Sequence, residues 1–141
     1  MASEESTTPD LVELVRRRVD AVDRRDLDAM TSFFAPDAVY DSSPMGFEVY
    51  EGREAIRRFF EDWWDSYEAS EANAEEILDL GNGVTLTVLI FKARPAGSSG
   101  DVRLRYAAIN VWEGSAVVRE TNYTDIDEAR AAAERLAESR G

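Results

Sequence analysis

The hydrophobic pattern of this chain changes period once, near Ala74, and that change restricts the possible folds more than any other feature. Before it, Leu11, Leu14, Val15, Val19 and Val22 recur at helical spacing across Pro9 to Arg24. A shorter helix is predicted from Leu27 to Phe34, with Asp26 as its N-cap and Pro36 interrupting it. Ala38 to Asp41 reads as a short strand. Gly52 then opens a third helix, in which Ile56, Phe59, Phe60, Trp63, Trp64 and Tyr67 make a wide aromatic face that needs a large surface to lie against. Beyond Ala74, the segments Ala74 to Leu80, Val84 to Arg94, Val102 to Trp112 and Ala116 to Thr124 alternate or run apolar as strands do. Gly81-Asn82-Gly83, the stretch from Pro95 to Gly100, and Glu113-Gly114 supply the turns of an antiparallel meander. Asp125 to Arg140 is alanine-rich and helical, with Asp125 and Glu128 at capping-box spacing. Helices followed by a one-sided sheet give an α+β fold. Three N-terminal helices are expected in the concave face of a strongly curved antiparallel or mixed sheet, enclosing a conical cavity, with an extra C-terminal helix.

A length of 141 residues fits one domain, here 9–141, preceded by a polar, disordered-looking tail over 1–8. Sixteen basic against 29 acidic residues leave a net charge of −13, which repels phosphate backbones and anionic lipid, so neither nucleic acid nor membrane is expected as a partner. No apolar run approaches the roughly 20 residues of a spanning helix, and the acidic start does not read as a secretory signal. A cytoplasmic location is the resulting expectation. The chain has no cysteine and no histidine. Thiol nucleophiles, disulfides, histidine-based triads and the usual zinc sites are therefore excluded, and no metal or cofactor is implied.

The run Asp26-Leu27-Asp28-Ala29-Met30 through Phe34-Ala35-Pro36-Asp37-Ala38-Val39-Tyr40-Asp41, then Tyr50-Glu51-Gly52-Arg53-Glu54-Ala55-Ile56, resembles the SnoaL-like branch of the nuclear transport factor 2-like superfamily. The likeness runs from about Leu11 to Asp125, with Arg25 where glycine is usual. It implies the cone fold of ketosteroid isomerase and the polyketide cyclases, dimerisation through the outer sheet face, and a small hydrophobic, polyketide- or steroid-like ligand. It does not imply one reaction, because the superfamily includes isomerases, cyclases, hydrolases, dehydratases and transport factors. Carrying over the isomerase's tyrosine, aspartate base and protonated aspartic acid places them on Arg18, Ser42 and Ala108. None of the three is kept, which disfavours ketosteroid isomerisation. A cyclase or dehydratase reaction would have to proceed without histidine.

Arg18 falls inside the apolar arc of the first helix, at about −20° from Leu11. It must be paired inside the fold or line a wet cavity, either as half of a buried ion pair or as an anchor for an anionic or carbonyl-bearing ligand. Alternation puts Tyr106, Asn110 and Trp112 on one face of their strand, and Glu120 and Asn122 on the matching face of the next, which the resemblance makes the cavity side. Glu120 is thus the natural partner of Arg18. Asp41 and Glu120 are the candidate catalytic carboxylates; Arg18, Tyr40, Ser42, Trp63, Tyr106, Asn110 and Asn122 are the candidate ligand-binding residues. Asp41 reads equally as a loop-edge carboxylate capping Ser43, and Trp63 as core. The segment Ser43 to Phe47 is either a lid or an ordinary loop. Ile109, Val111, Thr121 and Tyr123 mark the outer face for a homodimer. Two functions stay open. One is a small-molecule protein with a pocket for a mostly apolar, oxygen-bearing ligand, and with cofactor-independent isomerase, cyclase or lyase/hydrolase chemistry if it is an enzyme. The other is a noncatalytic binding or dimerisation module.

Overall fold

A computed structural model describes residues 10–141; the tail expected over 1–8 lies outside the described residues. Asp10 begins the first helix, α1 (Leu11–Asp23), by accepting from the Glu13 amide. Asp26 does the same for α2 (Leu27–Ser32) through Ala29. α2 ends earlier than the predicted Phe34 because the chain is captured by the sheet: Phe33 accepts from the Val117 amide at 2.7 Å, and β1 (Phe34–Asp41) starts at the next residue. Ser43–Met45 form one short 3-10 turn, β2 (Val49–Glu51) folds back on β1, and α3 (Arg53–Asp65) follows Gly52. β2 is a strand the sequence does not announce, since three residues are too few to show a period.

The long strands are β3 (Tyr67–Gly81), β4 (Val84–Pro95), β5 (Val102–Glu113) and β6 (Ala116–Tyr123), and α4 (Ile126–Arg140) closes the chain. β3 begins seven residues before the predicted Ala74, at a Glu-, Ala- and Ser-rich stretch of poor strand propensity. Pairing with β4 along its length, from Tyr67 opposite Pro95 to Gly81 opposite Val84 with three shifts of register, overrides that preference. The strands form one open six-stranded sheet in the order β2-β1-β6-β5-β4-β3. It is antiparallel throughout except for the parallel pair of β1 with β6, so the sheet is mixed. The architecture is the expected α+β cone.

Each face of the sheet has its own core. On the concave side, Leu11 and Val15 of α1, Met30 of α2, and Ile56, Phe60 and Trp64 of α3 pack with Phe34, Tyr40, Trp112 and Val117. On the convex side, Ala129, Ala133 and Ala137 of α4 lie against Val84, Leu86, Ala107 and Ile109. Alanine at a four-residue spacing gives α4 a flat stripe that approaches the sheet closely. Two polar ties fix its position: Arg130 bonds Glu76 at 2.9 Å, and the Asn82 amide donates to the Ala137 carbonyl at 2.6 Å. The outer face read from sequence as open is therefore substantially covered, with Ile109 only 4% exposed. Among the described residues no helix is long and apolar enough to cross a membrane.

Candidate functional site

Strand parity decides what faces the cone. Tyr40 of β1 stands opposite Glu120 of β6, and Glu120 opposite Asn110 of β5, so the three share the concave face. Ala108 pairs with Thr87, and Tyr106 with Leu89, which continues that face into β4. From the other side α1 presents Val15, Arg18, Val19 and Val22, and α3 presents Phe60. These residues enclose a cavity of about 30 Å³, room for one or two water-sized groups. The partly exposed Val19, Val22 and Tyr106 mark its solvent-facing side.

The charged centre of the cavity is closed. Arg18 and Glu120 form an ion pair with side chains 11% and 2% exposed. The Asn110 amide donates to the same Glu120 oxygen at 2.8 Å. Arg18 also lies over the Phe34 ring, its guanidinium carbon 4.9 Å from the centroid. Pairing, the hydrogen bond from Asn110 and an aromatic face offset the several kcal/mol that burying each ion costs. Two donors or acceptors on the cavity wall are left over: Arg18 Nε and Thr87 Oγ1 are buried without a hydrogen-bond partner among the described residues. Thr87 differs here from Thr85 on the same face of β4, whose hydroxyl accepts from the Trp112 indole at 2.9 Å. Burial raises the phenol of Tyr40 well above its ordinary value, and Glu120 and Tyr106 push the same way against Arg18 and Asn122. Tyr106 is raised by burial first and Glu120 second. Both phenols therefore stay protonated and able to donate at any physiological pH.

The cavity brings together five residues singled out in the sequence: Arg18, Tyr40, Tyr106, Asn110 and Glu120. Ser42 and Asn122 are buried beside it rather than in its wall, and the Asn122 amide donates to the Ser42 hydroxyl at 3.1 Å. Asp41 is a correction. One residue along from Tyr40, it projects to the opposite face of the sheet, bonded by Ser43 and held by Arg119 at 2.7 Å. Burial tends to raise its carboxyl, but those partners outweigh it and hold it below the ordinary value. Trp63 is partly buried against the core, as its alternative reading has it, with its ring stacked on Phe60 at 6.4 Å; it lines a groove on the surface of α3 and not the cavity. The segment Ser43 to Phe47 contributes nothing to the cavity wall. Sequence reasoning missed Thr87 and Leu89. Their signal was present, since hydroxyls at Thr85 and Thr87 interrupt an otherwise apolar strand at a spacing of two.

Comparison with known proteins agrees with the fold. The family model described as a SnoaL-like domain matches residues 15–134. Among solved structures, a hypothetical protein with a ketosteroid isomerase-like fold from Catenulispora acidiphila, in complex with trimethylamine, superimposes with a TM-score of 0.71 at 18% identity, over 83% of this chain and 86% of its own. An NTF2-like protein of unknown function from Burkholderia pseudomallei gives 0.69 at 17% identity, covering 86% and 95%. TerC, co-crystallised with polyporic acid, gives 0.70 at 12% identity, covering 88% and 97%. At such identities the likeness establishes the fold alone. No curated protein matches the sequence significantly.

Proposed function

Given that the chain belongs to the SnoaL-like domain family, we propose that it is a small-molecule-binding protein whose cone receives the oxygen function of a mostly apolar ligand. The observation that carries this reading is the pair of buried, unpartnered polar atoms, Arg18 Nε and Thr87 Oγ1, on an otherwise largely apolar wall. A native fold rarely leaves such groups unsatisfied, and each costs about 1–3 kcal/mol when it does. The charge of Arg18 is already neutralised by Glu120, so a neutral carbonyl or hydroxyl oxygen suits the position better than a carboxylate. A cavity of about 30 Å³ holds that functional group and little more. The apolar body then lies toward Val22, Leu89 and Tyr106. The polyporic acid of TerC and the trimethylamine of the Catenulispora protein are chemically unlike, so the fold itself does not select the ligand.

The noncatalytic alternative is favoured over acid-base chemistry, because the one carboxylate in the cavity, Glu120, is bound by both Arg18 and Asn110. A base so held has to break a buried ion pair before it accepts a proton. A homodimer through the outer sheet would have only the partly exposed surface around Thr121 and Tyr123 to use, Tyr123 itself packing on the cluster beneath α4.

Thermal shift against polyketide-, steroid- and terpene-type ketones and alcohols tests the binding reading, with wild type and Thr87→Val in parallel. Thr87→Val is nearly isosteric and removes an unpaired hydroxyl, so the variant should melt higher, by about 1 kcal/mol of stability. It should also show a smaller ligand-induced shift than wild type. If no compound in these classes stabilises the wild type, the proposal fails.

A further inference from the structure

Outside the cone, α3 carries a second recess. Arg58, Phe59, Asp62 and Trp63 form its floor, and Tyr50 of β2 and Tyr67 of β3 rise at its ends. Its volume is about 560 Å³, within the range of ordinary small-molecule sites and far above that of the cone cavity. The four rings come from three different elements and are braced from behind. Tyr50 lies 4.7 Å from Phe59, Phe59 meets Trp63 edge to face at 5.1 Å, and Trp63 and Tyr67 each pack on Phe91 at 5.6 Å. Aromatic side chains fixed in this way lose little side-chain entropy when something binds to them.

We propose that this groove is a separate binding site for an organic ammonium ion with an aryl or alkyl body, held by cation–π contact with the aromatic wall and by the carboxylate of Asp62. The electrostatics agree with the geometry. Asp62 forms no ion pair among the described residues. The Tyr50 phenol is held above its ordinary value by burial first and then by the negative charges of Glu48 and Asp62. The net charge of −13 adds long-range attraction for cations and opposes anions. Aromatic faces backed by carboxylate are a recurrent means of holding ammonium groups. Arg58 is the one feature of opposite sign. It stands four residues before Asp62 on the same helical face and competes with any cation for that carboxylate. The site is thus tuned down by its own arginine. It shares no wall residue with the cone cavity and does not depend on the function proposed for it.

Benzyltrimethylammonium is the probe, with phenylacetate as the anionic match and benzyl alcohol as the neutral one. Calorimetric titration gives the affinity, and the Trp63 indole resonance, assigned with Trp63→Phe, gives the location. The ammonium should bind and shift that resonance, while phenylacetate binds at least tenfold more weakly. Asp62→Asn, at an exposed helix position, should weaken the ammonium about threefold, and Arg58→Ala should tighten it by a similar factor. Thr87→Val should leave the affinity unchanged, which separates this site from the cone. Equal binding of phenylacetate, no binding of the ammonium in the millimolar range, or indifference to both charge variants would overturn the proposal.

Discussion

Arg25 shows how far a single side chain reshapes a local rule. Its φ of 55° lies in the left-handed region, which explains why glycine is usual at this place in similar sequences. The strain is offset by what the guanidinium reaches: Ser70 Oγ at 2.9 Å and the carbonyls of Trp64 and Tyr67 at 3.0 and 2.9 Å. One residue after α1 thereby ties the end of α3 and the start of β3 to the turn between α1 and α2. Arg25→Ala keeps the strain and loses the bonds, whereas Arg25→Gly loses only the bonds. The alanine variant should be less stable than the glycine variant by about 1 kcal/mol in urea titrations. Glycine is required more strictly at Gly83, with a φ of 77° and a position where a Cβ would stand 2.8 Å from the Trp112 carbonyl oxygen. At this scale the sequence was informative about types and weak about directions. Parity placed Glu120 and Asn110 in the cone and Asp41 in doubt, because a strand has only two faces. A helix offers a continuous range of directions, and Trp63, well inside the apolar arc of α3, packs on Phe60 and Phe91 at the edge of the core instead of lining the cavity.

Between elements, α1 is joined to β6 by the buried Arg18–Glu120 pair. Arg18→Leu leaves the Glu120 carboxylate buried with only Asn110, and should cost about 3–5 kcal/mol in equilibrium unfolding. Replacing both ions, Arg18→Leu with Glu120→Leu, should recover most of that loss. A double mutant no more stable than Arg18→Leu would show that the pair does not act as a unit. The tie of β1 to β6 on the other face depends on acid. The folded-state pKa of Asp41 is depressed, so its contribution is complete above the ordinary carboxylate value near 3.8 and is lost as pH falls below it toward the folded value. Glu76 behaves alike: its bond with Arg130 lowers it most, against burial. The stability gap between wild type and Asp41→Asn, read by denaturation, should therefore be constant from pH 7 to about 5 and close at lower pH. Element order, the antiparallel meander and the caps at Asp26 and Asp125 were readable because they depend on local chemistry. β2, the full length of β3 and the place of α4 were not, since each is set by a partner remote in sequence.

For the molecule as a whole, α4 matters most. Superficially an ordinary alanine-rich helix, it covers the convex sheet face with three small residues and leaves Val84, Leu86 and Ala107 fully buried. Ending the chain after Thr124 would expose these together with Ile109, a continuous apolar surface of the kind that drives association. Sedimentation should show the shortened chain forming dimers or larger species at concentrations where the full chain associates less. Equal behaviour of the two would mean that α4 plays no part in limiting contact through that face.

The pairing of β1 with β6 also sets an order in time. Tyr40 and Asp41 lie beside Glu120 and Thr121, so the first strand of the sheet waits for a neighbour made some eighty residues later. Arg18 of α1 is made long before Glu120, its partner in the folded chain, so its burial has to wait until β6 exists. The cone needs the last strand to be synthesised before it can be complete, and α4 follows that strand in the chain.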